Sequence, residues 1–181
     1  HANGEEGYVF WKKNIKNKSI GNSSTTAYDI SEIEQANQLI LSLCETVCAR
    51  LRKKNMKAGV LSIEIVDMNF ENYTKQRKLN VDTNAVNIIY KEACDMFIEI
   101  WNKTPIRHIG ITTSNVENKK VEQLNFFDNA NIKEENLYDA VDKIRDKYGE
   151  GSIKRASFIG KDISHMEGGI SKKKKDKNVY L

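Results

Sequence analysis

Apolar residues at Ile33, Ala36, Ile40, Leu43, Cys44, Val47 and Leu51 recur three or four positions apart and predict an amphipathic helix over 32–54. Ser31-Glu32-Ile33-Glu34 ahead of it has the form of a capping box, with Ser31 accepting from the amide of Glu34 and the Glu34 carboxylate reaching back. Arg50, Arg52, Lys53 and Lys54 suit the negative end of the helix dipole, and Gly59 is expected to close the connection. From Val60 to Asp67 the period changes to two. Leu61, Ile63 and Ile65 share one face and Ser62 and Glu64 the other, as in a half-buried strand. A turn at 69–72 leads to Tyr73-Thr74-Lys75-Gln76-Arg77-Lys78-Leu79, a strand over 73–80 whose centre is polar on both faces. That centre must meet solvent or a charged ligand. Asp82 or Thr83 is expected to cap a second helix over 84–103, with Val86, Ile89, Tyr90, Ala93, Phe97, Ile100 and Trp101 on its apolar face. Thr104 precedes Pro105 and is pushed out of helical geometry, so the helix stops by there. Ile106 to Val116 is the last strand, with Ile109 and Ile111 inward.

The Ser- and Thr-rich stretch from Lys18 to Tyr28 supplies a first strand near 19–28. The order is then β-α-β-β-α-β, an α+β fold: a ferredoxin-like, four-stranded sheet with both helices on one face. The other face is expected to carry Ser, Thr, Lys, Gln and Arg. Residues 1–18 show no sustained period and read as a linker or extended arm, as is expected of a piece of something longer. Residues 19–116 form the main domain, and 117–131 a polar stretch with one apolar motif. A helical extension over 132–159 follows, with Leu137, Ala140, Val141, Ile144 and Tyr148 on its apolar face and Gly149 at its C′ position. A basic tail over 160–181, with Lys172 to Lys175, reads as disordered.

Composition narrows the function. At 181 residues the chain can bury about two thirds of its unfolded surface and needs no disulfide staple. The net charge of +4 permits a polyanionic partner without demanding one. No run reaches the ~18 apolar residues of a membrane span, so no membrane association is expected, and no signal pattern opens the chain. Cys44, Cys48 and Cys94 are odd in number and irregular in spacing, which favours buried core thiols in a reducing, cytoplasmic setting. No Cys or His near them completes a zinc pattern, and His1, His108 and His165 are scattered. The chain has no P-loop, no GxSxG and no dinucleotide fingerprint. Asp67 alone does not make a two-metal phosphoryl-transfer site. By itself this chain is read as no enzyme.

Two motifs remain. Lys75, Arg77 and Lys78, with Thr74 and Gln76, are either an edge strand protected by its charges or a strand that tracks phosphates beside the hydroxyl-rich first strand. An RNA-recognition module shares the strand order but stacks bases on central-strand aromatics, and only Tyr73 stands near. Gln123-Leu124-Asn125-Phe126-Phe127 sets two adjacent Phe residues in a polar stretch. They either fold back on the domain or insert into a partner's pocket with Gln123 at its rim.

In these residues the chain resembles the C-terminal part of a Y-family translesion DNA polymerase of the bacterial impB/mucB/samB type. Ala2-Asn3-Gly4 is similar to the end of the family's thumb domain, and Lys18-Ser19-Ile20-Gly21 resembles the first strand of its little finger domain. Thr74-Lys75-Gln76-Arg77-Lys78-Leu79 matches the DNA-contacting strand, and Pro105-Ile106-Arg107-His108-Ile109-Gly110-Ile111 the closing strand. Gln123 to Phe127 resembles the sliding-clamp-binding peptide, with Phe126 in place of the usual Leu. Asp142 to Gly149 and Ile153 to Ser157 are similar to the extended C-terminal region of Gram-positive-type members. The resemblance implies a cytoplasmic DNA-repair and SOS-response protein whose metal-bound chemistry, and hence its Mg2+, sits in a palm domain that these residues do not include. It implies no cofactor for this part. Its partners would be the template-primer duplex and the β subunit sliding clamp. DNA contacts would come from Lys18, Ser19, Ser23, Ser24, Thr74, Lys75, Gln76, Arg77, Lys78 and Arg107, and clamp contacts from Gln123, Leu124, Asn125, Phe126 and Phe127. The rival reading is a free-standing ferredoxin-like protein-interaction module that does not bind DNA.

Overall fold

A computed structural model describes residues 19–118, 129–160 and 163–166. Strand β1 (Ser19–Ile30) leads to helix α1 (Ile33–Lys53) and the hairpin of β2 (Met56–Asp67) and β3 (Asn72–Thr83). Helix α2 (Val86–Ile100), strand β4 (Ile106–Asn118) and helix α3 (Asn129–Tyr148) follow, with short 3-10 turns at Glu150–Ser152 and Ala156–Phe158. The expected β-α-β-β-α-β order is present. All neighbouring strands pair antiparallel in the order β1-β4-β2-β3. Each crossover therefore skips a strand: α1 carries the chain past β4, and α2 carries it past β2.

Leu61, Ile63 and Ile65 of β2 and Ile109 and Ile111 of β4 form one apolar sheet face, at most 1% exposed. Leu39, Ile40, Leu43, Cys44, Val47, Cys48 and Leu51 of α1 and Ile89, Ala93, Met96 and Phe97 of α2 cover it in a single core. Both helices thus lie on one face, as their periods predict. Thr113, drawn into this layer, donates its hydroxyl to the Ile20 carbonyl at 2.8 Å.

Several local expectations are corrected. The capping box does not form. Glu32 is the N-cap residue of α1 and makes no side-chain cap bond. The first helical bond runs from the Ala36 amide to the Glu32 carbonyl, so Ser31 lies one residue too early. Gly59 does not close the connection. The turn is tighter, at Lys54 and Asn55 (φ 52°), and β2 begins at Met56. Gly59 sits inside β2 where the register shifts, and a Cβ there would lie 2.6 Å from Asp82 Oδ1. Neither Asp82 nor Thr83 is the N-cap of α2, which is Ala85; the Thr83 hydroxyl instead accepts from the Ala85 amide at 3.0 Å. Helix α2 ends at Ile100, and Trp101 to Thr104 form the exit, with Lys103 at φ 70°.

The apolar face expected for α3 is also wrong. Leu137, Ile144 and Tyr148 are exposed, and the buried positions are Tyr138 and Arg145. Helix α3 and the turns after it dock on the outer side of α1 through charge. Glu45 of α1, 3% exposed, accepts from Arg145 at 3.0 Å and from Arg155 at 2.6 Å. Arg52 pairs with both oxygens of Asp142, at 2.5 and 3.0 Å, and stacks over the Tyr138 ring. Phe158 and Ile163 join the core, and Ser42 donates to the Ser164 carbonyl at 2.6 Å. This docking buries Ser42, Glu45 and Thr46, residues that would otherwise form the wet side of α1. Gly149 does take the C′ role, with φ 96° and its amide 2.8 Å from the Arg145 carbonyl.

Candidate nucleic-acid interface

The sheet face away from the helices is covered by no described element. Residues directly opposite one another on paired strands project to the same side, so the register lays out four cross-sheet rows. They are Ser19–Ser114–Val60–Lys78, Gly21–Thr112–Ser62–Gln76, Ser23–Gly110–Glu64–Thr74 and Thr25–His108–Val66–Asn72. Only two of these residues, Val60 and Val66, are apolar. Hydroxyls and amides dominate, with one acid, Glu64, and one permanent cation, Lys78. Ser62 donates to Gln76 Oε1 at 3.2 Å, Asn72 to Glu64 at 2.7 Å, and Thr25 shares a 2.8 Å bond with His108 Nδ1. The two side-chain-free positions, Gly21 and Gly110, leave a shallow depression rimmed by Ser23, Arg50, Glu64 and Thr112. Arg50 reaches it from the last turn of α1 and donates to the Gly21 carbonyl at 2.8 Å.

The candidate DNA contacts divide along these rows. Ser19, Ser23, Thr74, Gln76 and Lys78 stand on the open face, and all five are exposed. Ser24 opposes Ile109 and turns to the helix side. Lys75 opposes Ile63 and Arg77 opposes Leu61, so both also lie on the helix side, at the free edge of β3. There α2 meets them with carboxylates. Arg77 bonds Glu92 at 3.0 Å and Glu99 at 2.6 Å, and Lys75 pairs with Glu99. Hydrogen bonds from Lys75 and Arg77 hold the Glu99 carboxyl below its ordinary range, and the bonds that Arg77 donates to Glu92 and Glu99 push its guanidinium up. Arg107 lies at the sheet's end, paired with Asp29 at 3.2 Å and stacked over Phe70. Lys18 and the clamp-peptide residues Gln123 to Phe127 lie outside the described residues.

One expectation is overturned here. The hydroxyl-rich β1 does not neighbour β3; the two are opposite edges, separated by β4 and β2. The hydroxyl beside β3 is that of Ser62 on β2, with Thr112 of β4 one strand further, and neither stands in a charged run. Their signal was the alternation with Ile63 and Ile111. Among the described residues no group of three or more His, Cys, Asp or Glu is placed to hold a metal ion.

Residues 17–126 match the impB/mucB/samB family C-terminal domain. The chain belongs to this family. Its relatives include DNA polymerase IV of Clostridium acetobutylicum, 29% identical over 163 residues, which spans 90% of this chain and 41% of that protein. DNA polymerase IV of Clostridium kluyveri is 35% identical over 80% of this chain and 38% of its own length. DNA polymerase IV 1 of Bacillus subtilis is 32% identical over 83% and 37%. The chain thus spans about two fifths of the curated relatives it matches. Solved structures of similar shape include the little finger domain of PolIV in complex with the β-clamp processivity factor. That match has a TM-score of 0.43 at 15% identity, over 60% of this chain and 98% of that one. Among the described residues no helix is long and apolar enough to cross a membrane.

Proposed function

We propose that this chain is the little finger part of a translesion DNA polymerase. It grips the template-primer duplex through the open sheet face and ties the enzyme to its sliding clamp through Gln123 to Phe127. The observation that carries the reading is the asymmetry of the sheet. One face is closed by two helices, while the other presents hydroxyls, amides and Lys78 in register with nothing described above them. Such groups suit phosphate and sugar oxygens, which position a duplex without reading its sequence. A polymerase that meets damaged templates of any sequence needs that kind of grip. The relatives named DNA polymerase IV support the reading, as does the likeness of residues 123–127 to the clamp peptide. Synthesis and its Mg2+ belong to the parent enzyme's other domains.

The test is a salt titration of duplex affinity with the 181-residue chain and its Lys78→Ala variant. Losing one phosphate contact should lower the magnitude of the log K against log salt slope by about 0.9. Binding should weaken about equally on unrelated sequences. An unchanged slope would move Lys78 off the DNA. A wild type that shows no salt-dependent binding to duplex DNA would favour the rival, a protein-interaction module.

A further inference from the structure

Lys75 and Arg77 are the cations most readily read as phosphate ligands, yet both are already occupied. Glu99 holds both of them, and Glu92 takes a second bond from Arg77. A carboxylate and a phosphate offer an ammonium or guanidinium the same kind of charged oxygen acceptor, so one displaces the other. The cluster is open to such exchange. The side chains of Lys75, Arg77 and Glu99 are 36%, 34% and 41% exposed, and among the described residues β3 is an edge with no strand beyond it. Both side chains are long enough to turn around that edge toward a duplex seated on the open face.

We infer that Glu99 is an internal competitor for DNA phosphate, a brake that keeps Lys75 and Arg77 out of the DNA-binding count until a backbone displaces it. The inference rests on the proposed DNA-binding reading. It implies that the grip of this domain is set by α2 as well as by the sheet. It also implies that Lys75 contributes less than a full contact in the wild type, since leaving Glu99 offsets what the phosphate returns. Lys75 has no second carboxylate among the described ion pairs, whereas Arg77 keeps Glu92. Removing the Glu99 charge should therefore free one whole cation, Lys75.

The experiment measures duplex affinity from 50 to 200 mM salt for wild type, Glu99→Gln, Lys75→Ala and the double variant. Glu34→Gln on α1 controls for a change of net charge away from β3. Glu99→Gln should steepen the slope by about 0.9, giving tighter binding at 50 mM whose advantage shrinks about 3.5-fold by 200 mM. Lys75→Ala should change the slope by much less than 0.9 in the wild type, but should remove the whole gain in the Glu99→Gln background. That coupling is one a purely structural role would not produce. If wild type binds with a salt-dependent slope and Glu99→Gln leaves it unchanged, or matches Glu34→Gln, the brake is refuted while DNA binding stands. If wild type does not bind duplex at all, both readings fall.

Discussion

Glu45 offers a sharp test of how the C-terminal extension is held. Its carboxylate, 4% exposed, takes a guanidinium from α3 and another from the segment beyond it. Glu45→Gln keeps the shape and removes the charge. Arg145, 7% exposed, is then left in the interior without an anion. Removing one member of a buried pair typically costs about 3–5 kcal/mol. Arg155 is 34% exposed, so its leg is screened by water and adds at most about 1 kcal/mol. The loss should fall on docking rather than on the whole domain, because Phe158 and Ile163 can leave α1 without opening the layer between sheet and helices. At 1.36 kcal/mol per decade, 3 kcal/mol raises the detached population about 150-fold. Native-state trypsin cleavage at Lys143, Arg145, Lys147, Lys154 and Arg155 reads that population. It should speed up by about two orders of magnitude, with only a small shift in the thermal midpoint of the main domain. Replacing the pair with apolar side chains, Glu45→Leu with Arg145→Met, should restore most of the protection, since both desolvation costs disappear together. A folded Glu45→Gln protein whose extension is cleaved within threefold of the wild-type rate would refute the argument.

Three further outcomes are expected. Replacing Phe126 and Phe127 by Ala should abolish most clamp affinity, since each ring contributes roughly 1.5–3 kcal/mol on full burial; clamp capture measured by surface plasmon resonance that survives the change would remove this peptide from the interface. Leu43→Ala, in the fully buried row of α1, should cost about 2–5 kcal/mol in urea unfolding, whereas a loss below 1 kcal/mol would contradict the packing described. Burial pushes the Cys48 thiol up to about 12 and the Cys94 thiol up to about 11, from an ordinary 9.0. The folded chain then holds these protons more tightly than the unfolded one, so the associated stability is present below pH 9 and is lost as pH climbs toward 11–12. Urea midpoints from pH 8 to 10.5 should fall more steeply in wild type than in a Cys48→Ala/Cys94→Ala variant, and parallel profiles would count against it.

Periodicity alone determined the element order, the α+β class and the inward rows of β2 and β4, because Leu61, Ile63, Ile65, Ile109 and Ile111 have only one way to leave water. It also marked Gly149, since the position after a helix favours the residue without a Cβ. In β3 alternation fixed that Lys75 and Arg77 share one side and Thr74, Gln76 and Lys78 the other. With polar residues on both sides, no hydrophobic term said which side faced the helices. Pairing with β2 settled that by setting Lys75 opposite Ile63 and Arg77 opposite Leu61. Strand order likewise put β1 and β3 on opposite edges, since a crossover can skip a strand without any local signal. The same limit explains α3. Its own apolar stripe pointed to Leu137, Ile144 and Tyr148, but the surface waiting on α1 was Glu45 and Arg52. The helix turned Arg145, Asp142 and Tyr138 toward them, because a buried charge is tolerated only where its partner is, and that partner lay 100 residues away in the chain.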